Sequence, residues 1–227
     1  MASTSSTDQT SPSPSPTQDA LVLRMDKAAR TLLASGTTDT DAQAELQTMC
    51  LPMTALWCRI LRFDPAMPGW PDRDRCVVPS SAMLPLLAAM LRLTAPDAQG
   101  LSPTLEYGQH PAVEIATGPA GQGMAAAAGM ALAEQQLARH YGRSLVNHRT
   151  WVIARDSDLA TGVALEAAQL ASRFGLNRMA VLVCPSPLTD PADFSDSLAR
   201  FGASGWSVRK AVSYTHLRAH ETSAPLV

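Results

Sequence analysis

Apolar positions along the chain recur with two periods, and the alternation between them outlines the fold. Leu21, Val22, Met25, Ala28, Ala29, Leu32 and Leu33 share one helical face, and Gly36 is placed to end that helix. A second helical stretch is predicted from about Asp41 to Phe63. Pro52 inside it is expected to kink it or break it in two, because proline lacks the N–H donor and its ring crowds the preceding turn. Pro65, Pro68, Gly69 and Pro71 enforce an irregular turn before Cys76-Val77-Val78, a short buried strand. Met83–Leu93 reads as an apolar helix and 94–112 as loop.

Beyond the loop the pattern becomes regular. Met124, Ala128, Ala131, Leu132, Gln135 and Leu137 fit a helix from Gly121 to Tyr141, closed by Gly142. Trp151–Ala154 is a strand, Leu159–Phe174 a helix ended by Gly175, and Met179–Cys184 a strand. Phe194–Phe201 is a further helix and Trp206–Val208 a last strand. Short apolar strands alternating with amphipathic helices predict an α/β fold, a parallel sheet with helices on both faces. No internal repeat is visible.

The ends depart from this pattern. Residues 1–19 are rich in Ser, Thr and Pro with almost nothing to bury, and are expected to be a disordered lead-in to a folded domain over 20–212. The stretch Ser213-Tyr214-Thr215-His216-Leu217-Arg218-Ala219-His220-Glu221-Thr222-Ser223 resembles a translated adaptor junction. Residues 213–227 are therefore set aside as a non-native tail, and both of its histidines are discounted as ligands.

Composition narrows the function classes. Hydrophobic residues make up 46% and charged residues 17%, enough apolar material for a core. A net charge of -2 argues against a nucleic-acid partner, which would call for a concentrated basic face. No apolar run approaches the roughly 20 residues that span a bilayer, so no membrane partner is expected. Cys50, Cys58, Cys76 and Cys184 form no CxxC pair and read as free thiols in a reducing compartment. With neither a basic nor an apolar leader at the start, the expected location is the cytoplasm. His140 and His148 have no partners at ligand spacing and read as surface residues.

Three motifs carry a family resemblance. Trp70-Pro71-Asp72-Arg73-Asp74-Arg75 resembles a W-x-D-R-D-R turn, Gly118-Pro119-Ala120-Gly121-Gln122-Gly123 a G-P-L-G-Q-G loop, and Arg200-Phe201 with Gly205-Trp206 an R-F-x-x-x-G-W segment. Together they resemble the N-terminal, diphosphate-binding domain of transketolases, the thiamine diphosphate enzymes that move two-carbon ketol units between sugars. The similarity runs from about Ala42 to Leu93 and from Glu106 to Val212. It implies the thiamine diphosphate-binding fold and leaves the family's pyrimidine-binding and C-terminal domains without counterpart in this chain.

The same resemblance implies a Mg²⁺ at the cofactor's diphosphate, held by a G-D-G turn and by an Asn after the next strand. Here the turn is Arg155-Asp156-Ser157 and the Asn position falls on Ser186, between Pro185 and Pro187. Asp156 is therefore the candidate metal ligand, and Gly118, Ala120, Gly121 and Asp156 are the candidate cofactor-binding residues. The family's histidine positions fall on Ala42, Ala82 and Thr104, and an acidic position on Thr161; neighbouring His110 is not expected to swing in for any of them. No catalytic residue is assigned.

The residues leave alternatives open. Asp156 is either a vestigial ligand or the N-cap of the Leu159 helix. Arg155 either binds phosphate in place of Mg²⁺ or pairs with Asp156 or Asp158. The Gly118–Gly123 loop either presents N–H groups to an anion or permits close helix packing. The departures lead to the expectation of no bound cofactor, with thiamine diphosphate and Mg²⁺ implied by resemblance alone. A non-catalytic interaction or regulatory chain is expected; the alternative is the N-terminal subunit or fragment of a transketolase retaining thiamine diphosphate, and a third possibility is an eroded reading frame. The small side chains of Ala125–Gly129 call for a closely approaching partner, either a second copy or a companion transketolase-like chain.

Overall fold

The computed structural model describes residues 16–36, 40–116 and 118–209. At its centre is a three-stranded sheet of β1 (Arg75–Val77), β2 (Thr150–Arg155) and β3 (Met179–Cys184), in the order β1-β2-β3. Both pairs are parallel, with Arg75 opposite Thr150 and Thr150 opposite Met179. Parallel neighbours require the chain to cross back over the sheet between strands, and helices make those crossings. The predicted parallel sheet with helices on both faces is the observed architecture.

Strand alternation explains the two cores. Cys76, Trp151, Ile153 and Ala180 point to one face, where α1 (Pro16–Ala34), α2 (Thr40–Arg59) and α3 (Leu84–Thr94) bring Leu33, Met49, Met53, Leu86 and Leu91 against them. Val77, Val152, Ala154, Met179 and Val181 point to the other. There α4 (Gln122–Tyr141), α6 (Gly162–Arg173) and α7 (Pro191–Ala203) supply Met124, Ala127, Ala168 and Phe201. Because β2 is buried on both faces, it reads as a continuous apolar run.

Several expectations shift. α1 begins at Pro16, so the last residues of the expected lead-in are helical, while 1–15 and the set-aside tail 213–227 lie outside the described residues. Pro52 sits within α2 without ending it. An interior proline costs about 3 kcal/mol, yet the next five residues, Met53–Trp57, are all buried, and packing outweighs the lost bond. α2 stops at Arg59 rather than Phe63. The predicted helix from Leu159 is two: α5 (Asp156–Leu159), then α6, whose N-cap Thr161 accepts from the Ala164 N–H.

Among the described residues Trp206–Val208 forms no strand, and Ser207 makes a single bridge. Trp206 serves the core instead, meeting Phe201 edge-on and donating its indole N–H to the Ala168 carbonyl at 2.9 Å. Two of the small side chains of α4 have their partner within the chain, whereas Gly129 is exposed. Ala127 and Ala128 pack into the second core with α6, so close approach there does not call for another molecule. Among the described residues no helix is long and apolar enough to cross a membrane.

Candidate functional site

In a parallel sheet the loops leaving the strand carboxyl ends gather at one edge, where ligands bind in folds of this class. After β1 come Val78, Pro79 and Ser80; after β2, Asp156; after β3, Pro185 and Ser186. The Gly118–Gly123 loop docks on the first of these. Gly118 accepts from the Ser81 N–H and Gly123 donates to the Pro79 carbonyl, each at 3.2 Å. A Cβ on Gly123 would lie 2.5 Å from the Val78 carbonyl oxygen, and one on Gly121, which has φ +80, would collide with the Thr161 hydroxyl. The glycines therefore let the loop lie against the strand end. The N–H groups of Gln122, Gly123 and Met124, at the start of α4, already have carbonyl acceptors in the protein, which favours packing over anion capture for this loop. Ala120 is exposed at its tip.

Asp156 and Ser186 are brought together. The Asp156 Oδ1 accepts the Ser186 N–H at 3.2 Å, and both residues are buried. Asp156 caps neither helix: Arg155 is the N-cap of α5 and Thr161 that of α6. A carboxylate and a hydroxyl on adjoining loops are oxygen donors of the kind Mg²⁺ takes, and Mg²⁺ usually completes its shell with phosphate and water oxygens. The pair fits such an ion as part of its shell. Among the described residues no group of three or more His, Cys, Asp or Glu forms a closed metal cage.

Arg155 pairs with local carboxylates, though not with Asp156. Its Nε donates to Asp158 Oδ2 at 3.1 Å and its Nη2 to Asp158 Oδ1 at 3.0 Å. Nη1 reaches Glu45 Oε2 at 2.8 Å, and Nη2 also reaches the Ser80 Oγ at 3.2 Å. Asp158 Oδ2 accepts the Arg155 backbone N–H as well, closing a capping box. Burial lowers the guanidinium pKa, but the hydrogen bonds and charges of Asp158 and Glu45 outweigh it, and the net shift is upward. Glu45 and Ser80 were not singled out from sequence. Glu45 lies 110 residues from Arg155, and nothing local marks the pairing.

The remaining positions separate. Ala42 is half-buried on α2, whereas Ala82 and Thr104 are exposed. Thr161 is spent on capping α6. His110 does not swing into the site: its Nδ1 accepts the Ala112 N–H at 3.0 Å and its Nε2 lies 3.3 Å from Asp97. His148, expected at the surface, is buried, with Nδ1 3.1 Å from Asp72 Oδ1. Burial and nearby Arg75 hold its pKa below the usual value despite Asp72. The W-x-D-R-D-R turn explains this placement. Asp74 accepts the Arg62, Arg149 and Trp151 N–H groups, and Asp72 accepts that of Asn147, all away from the carboxyl edge. Cys50, Cys76 and Cys184 are buried free thiols, each pushed up to about 12 by burial, and none is poised as a nucleophile.

Comparison with known proteins bears on this edge directly. The family described as "Transketolase, thiamine diphosphate binding domain" matches residues 44–223. Transketolase from Rhodobacter capsulatus is 38% identical over 173 residues, covering 68% of this chain and 26% of the relative. Transketolase from Halalkalibacterium halodurans is 40% identical over 173 residues, covering 67% and 26%. The solved structure of transketolase from Leishmania mexicana superposes with a TM-score of 0.74 at 25% identity, covering 90% of this chain and 36% of that one. The chain thus spans about a quarter of the length of the curated relatives it matches. The expectation of no cofactor is corrected here: the matched domain is defined by thiamine diphosphate binding, and the replaced glycines and Asn do not remove the chain from it.

Proposed function

The chain belongs to the transketolase family, as its thiamine diphosphate-binding N-terminal domain, and from that premise we propose that it contributes the diphosphate-binding half of a transketolase cofactor site. The activity it serves is the transfer of two-carbon ketol units between sugar phosphates, with the pyrimidine half of the site supplied from outside residues 1–227. The observation that carries this reading is the Asp156–Ser186 hydrogen bond, which joins the turns after β2 and β3 at the ligand edge of the sheet.

Asp156 and Ser186 would offer oxygen atoms to a Mg²⁺ carrying the diphosphate. When bound, thiamine diphosphate supplies the ylid carbon that forms and stabilises carbanions. The residues of this chain bind and orient. Asp156 is buried with its carboxylate already fixed, and Pro185 and Pro187 stiffen the backbone around Ser186, so little freedom remains to be lost on binding. The test is Mg²⁺-dependent binding of thiamine diphosphate to the chain and its loss in Asp156→Ala.

A second reading, a regulatory chain that does not itself turn over sugars, is favoured by Ala42, Ala82, Thr104 and Thr161. None of them can transfer a proton or hold a sugar hydroxyl as an imidazole or carboxylate would. Turnover after mixing with the pyrimidine-binding and C-terminal domains of a transketolase separates the two readings. Either one needs a partner, a second copy or a companion chain. The exposed Val163, Leu170 and Phe174 along α6 support such an association.

A further inference from the structure

The guanidinium of Arg155 spans the gap between the carboxyl ends of β1 and β2, since it bonds Ser80 beyond one strand while rooted at the end of the other. Four of its N–H donors are engaged, from the five an arginine carries. The acceptors differ in how firmly they are held. Asp158 is fully buried, takes two side-chain donors and caps the Arg155 backbone, so it cannot leave without opening α5. Glu45 is 19% exposed, comes from α2 and holds Nη1 by a single contact. Two carboxylates around one guanidinium leave an excess of one negative charge, and Asp156 next door adds another. An arriving anion must displace one of them or bring its own cation.

We propose that Arg155 is a phosphate-oxygen site held shut by Glu45. An incoming diphosphate takes the place of the Glu45 carboxylate on Nη1 and releases the first turns of α2 from the edge of the sheet. Asp158 and Ser80 keep the guanidinium in place during the exchange, so the arginine meets the anion pre-oriented. Phosphate oxygens suit this position because they can occupy both the vacated Nη1 donor and the remaining free one. The proposal rests on the cofactor reading only for the identity of the natural anion.

Calorimetric titration of the full chain with inorganic diphosphate, with and without Mg²⁺, tests it in the wild type, Glu45→Gln, Arg155→Ala and the double variant. Glu45→Gln removes the competing charge and should tighten diphosphate about tenfold, the scale of one charge-assisted hydrogen bond. Arg155→Ala should weaken binding, and the double variant should show none of the Glu45→Gln gain. Unchanged affinity in Glu45→Gln, or a gain that persists without Arg155, overturns the proposal. Hydrogen exchange of the wild type gives a second readout that needs no variant. Added diphosphate should speed exchange of amides 42–48, and unchanged or slower exchange there contradicts a displaced Glu45. Thiamine diphosphate binding no more tightly than inorganic diphosphate would sink the cofactor reading while leaving the Glu45–Arg155 exchange intact.

Discussion

The carboxylate of Asp156 accepts a hydrogen bond from the backbone N–H of Ser186 at 3.2 Å, fastening the turn after β2 to the turn after β3. These two strands are adjacent and parallel, with Arg155 opposite Cys184. The bond therefore bridges the base of the crevice in which a ligand of this fold would lie.

The first prediction separates the structural from the charge role of Asp156. Asp156→Ala strands the buried Ser186 N–H, which typically costs about 1–3 kcal/mol. Asp156→Asn keeps an acceptor and should retain most of the stability while losing Mg²⁺-dependent binding. Urea unfolding of both variants beside metal-dependent ligand titration checks this. Equal loss of stability in the two would mean that the charge itself holds the turn.

Two glycines of α4 should respond in opposite directions. Gly123→Ala places a Cβ 2.5 Å from a backbone oxygen with no room to yield, and overpacking of this kind costs about 1–3 kcal/mol. Gly129→Ala meets nothing within 4 Å and should stabilise the helix by about 0.5–1 kcal/mol. Thermal melts of the two variants test whether the loop docks as described.

His148 predicts the pH dependence of stability. Its folded-state pKa lies below the ordinary histidine value of about 6.5, so the unfolded chain binds its proton first as the pH falls. The contribution of the neutral ring is complete above that value and is lost on acidification through and below it. Unfolding free energy should thus fall between about pH 7 and pH 5, and His148→Gln should flatten the slope. A slope identical in the variant would assign the dependence to other groups.

Glu134 carries a related prediction with the opposite sign. Burial raises its pKa against the pull of Arg143 and Arg178, and its Oε2 has no hydrogen-bond partner among the described residues. A raised carboxyl pKa means that stability is lost as pH rises through the folded value. Arg143→Ala should then destabilise by about 1–3 kcal/mol at neutral pH, the cost of leaving a buried charge poorly paired. Glu134→Gln should be close to neutral, and chemical denaturation of the pair decides.

The strands and helices were legible where their pattern was local. Met179–Cys184 is an unbroken apolar run ended by Pro185, and strand β3 spans those same residues. The Trp206 segment has the apolar residues of a short strand, but Val208 is exposed and the burial of Trp206 serves packing on Phe201 and α6 rather than pairing. Pro52 does not break α2, because tertiary packing of Met53–Trp57 offsets the local penalty. The site was legible only in part. Its loops could be placed by motif, whereas the Asp156–Ser186 bond depends on the register of two strands. The Glu45–Arg155 pair depends on how α2 lies against the sheet. His148 was misread for the same reason, since its partner Asp72 is 76 residues away.

Titration of the full chain with thiamine diphosphate, with and without Mg²⁺, bears most directly on the proposed function. Saturable binding with a dissociation constant below about 1 mM is expected, dependent on Mg²⁺ and abolished in Asp156→Ala. At about a hundredfold excess over that constant the ligand should raise the unfolding free energy by about 2.7 kcal/mol. No saturable heat and no gain in stability at millimolar thiamine diphosphate with Mg²⁺, from a chain that melts cooperatively, would contradict the assignment of a diphosphate-binding half-site.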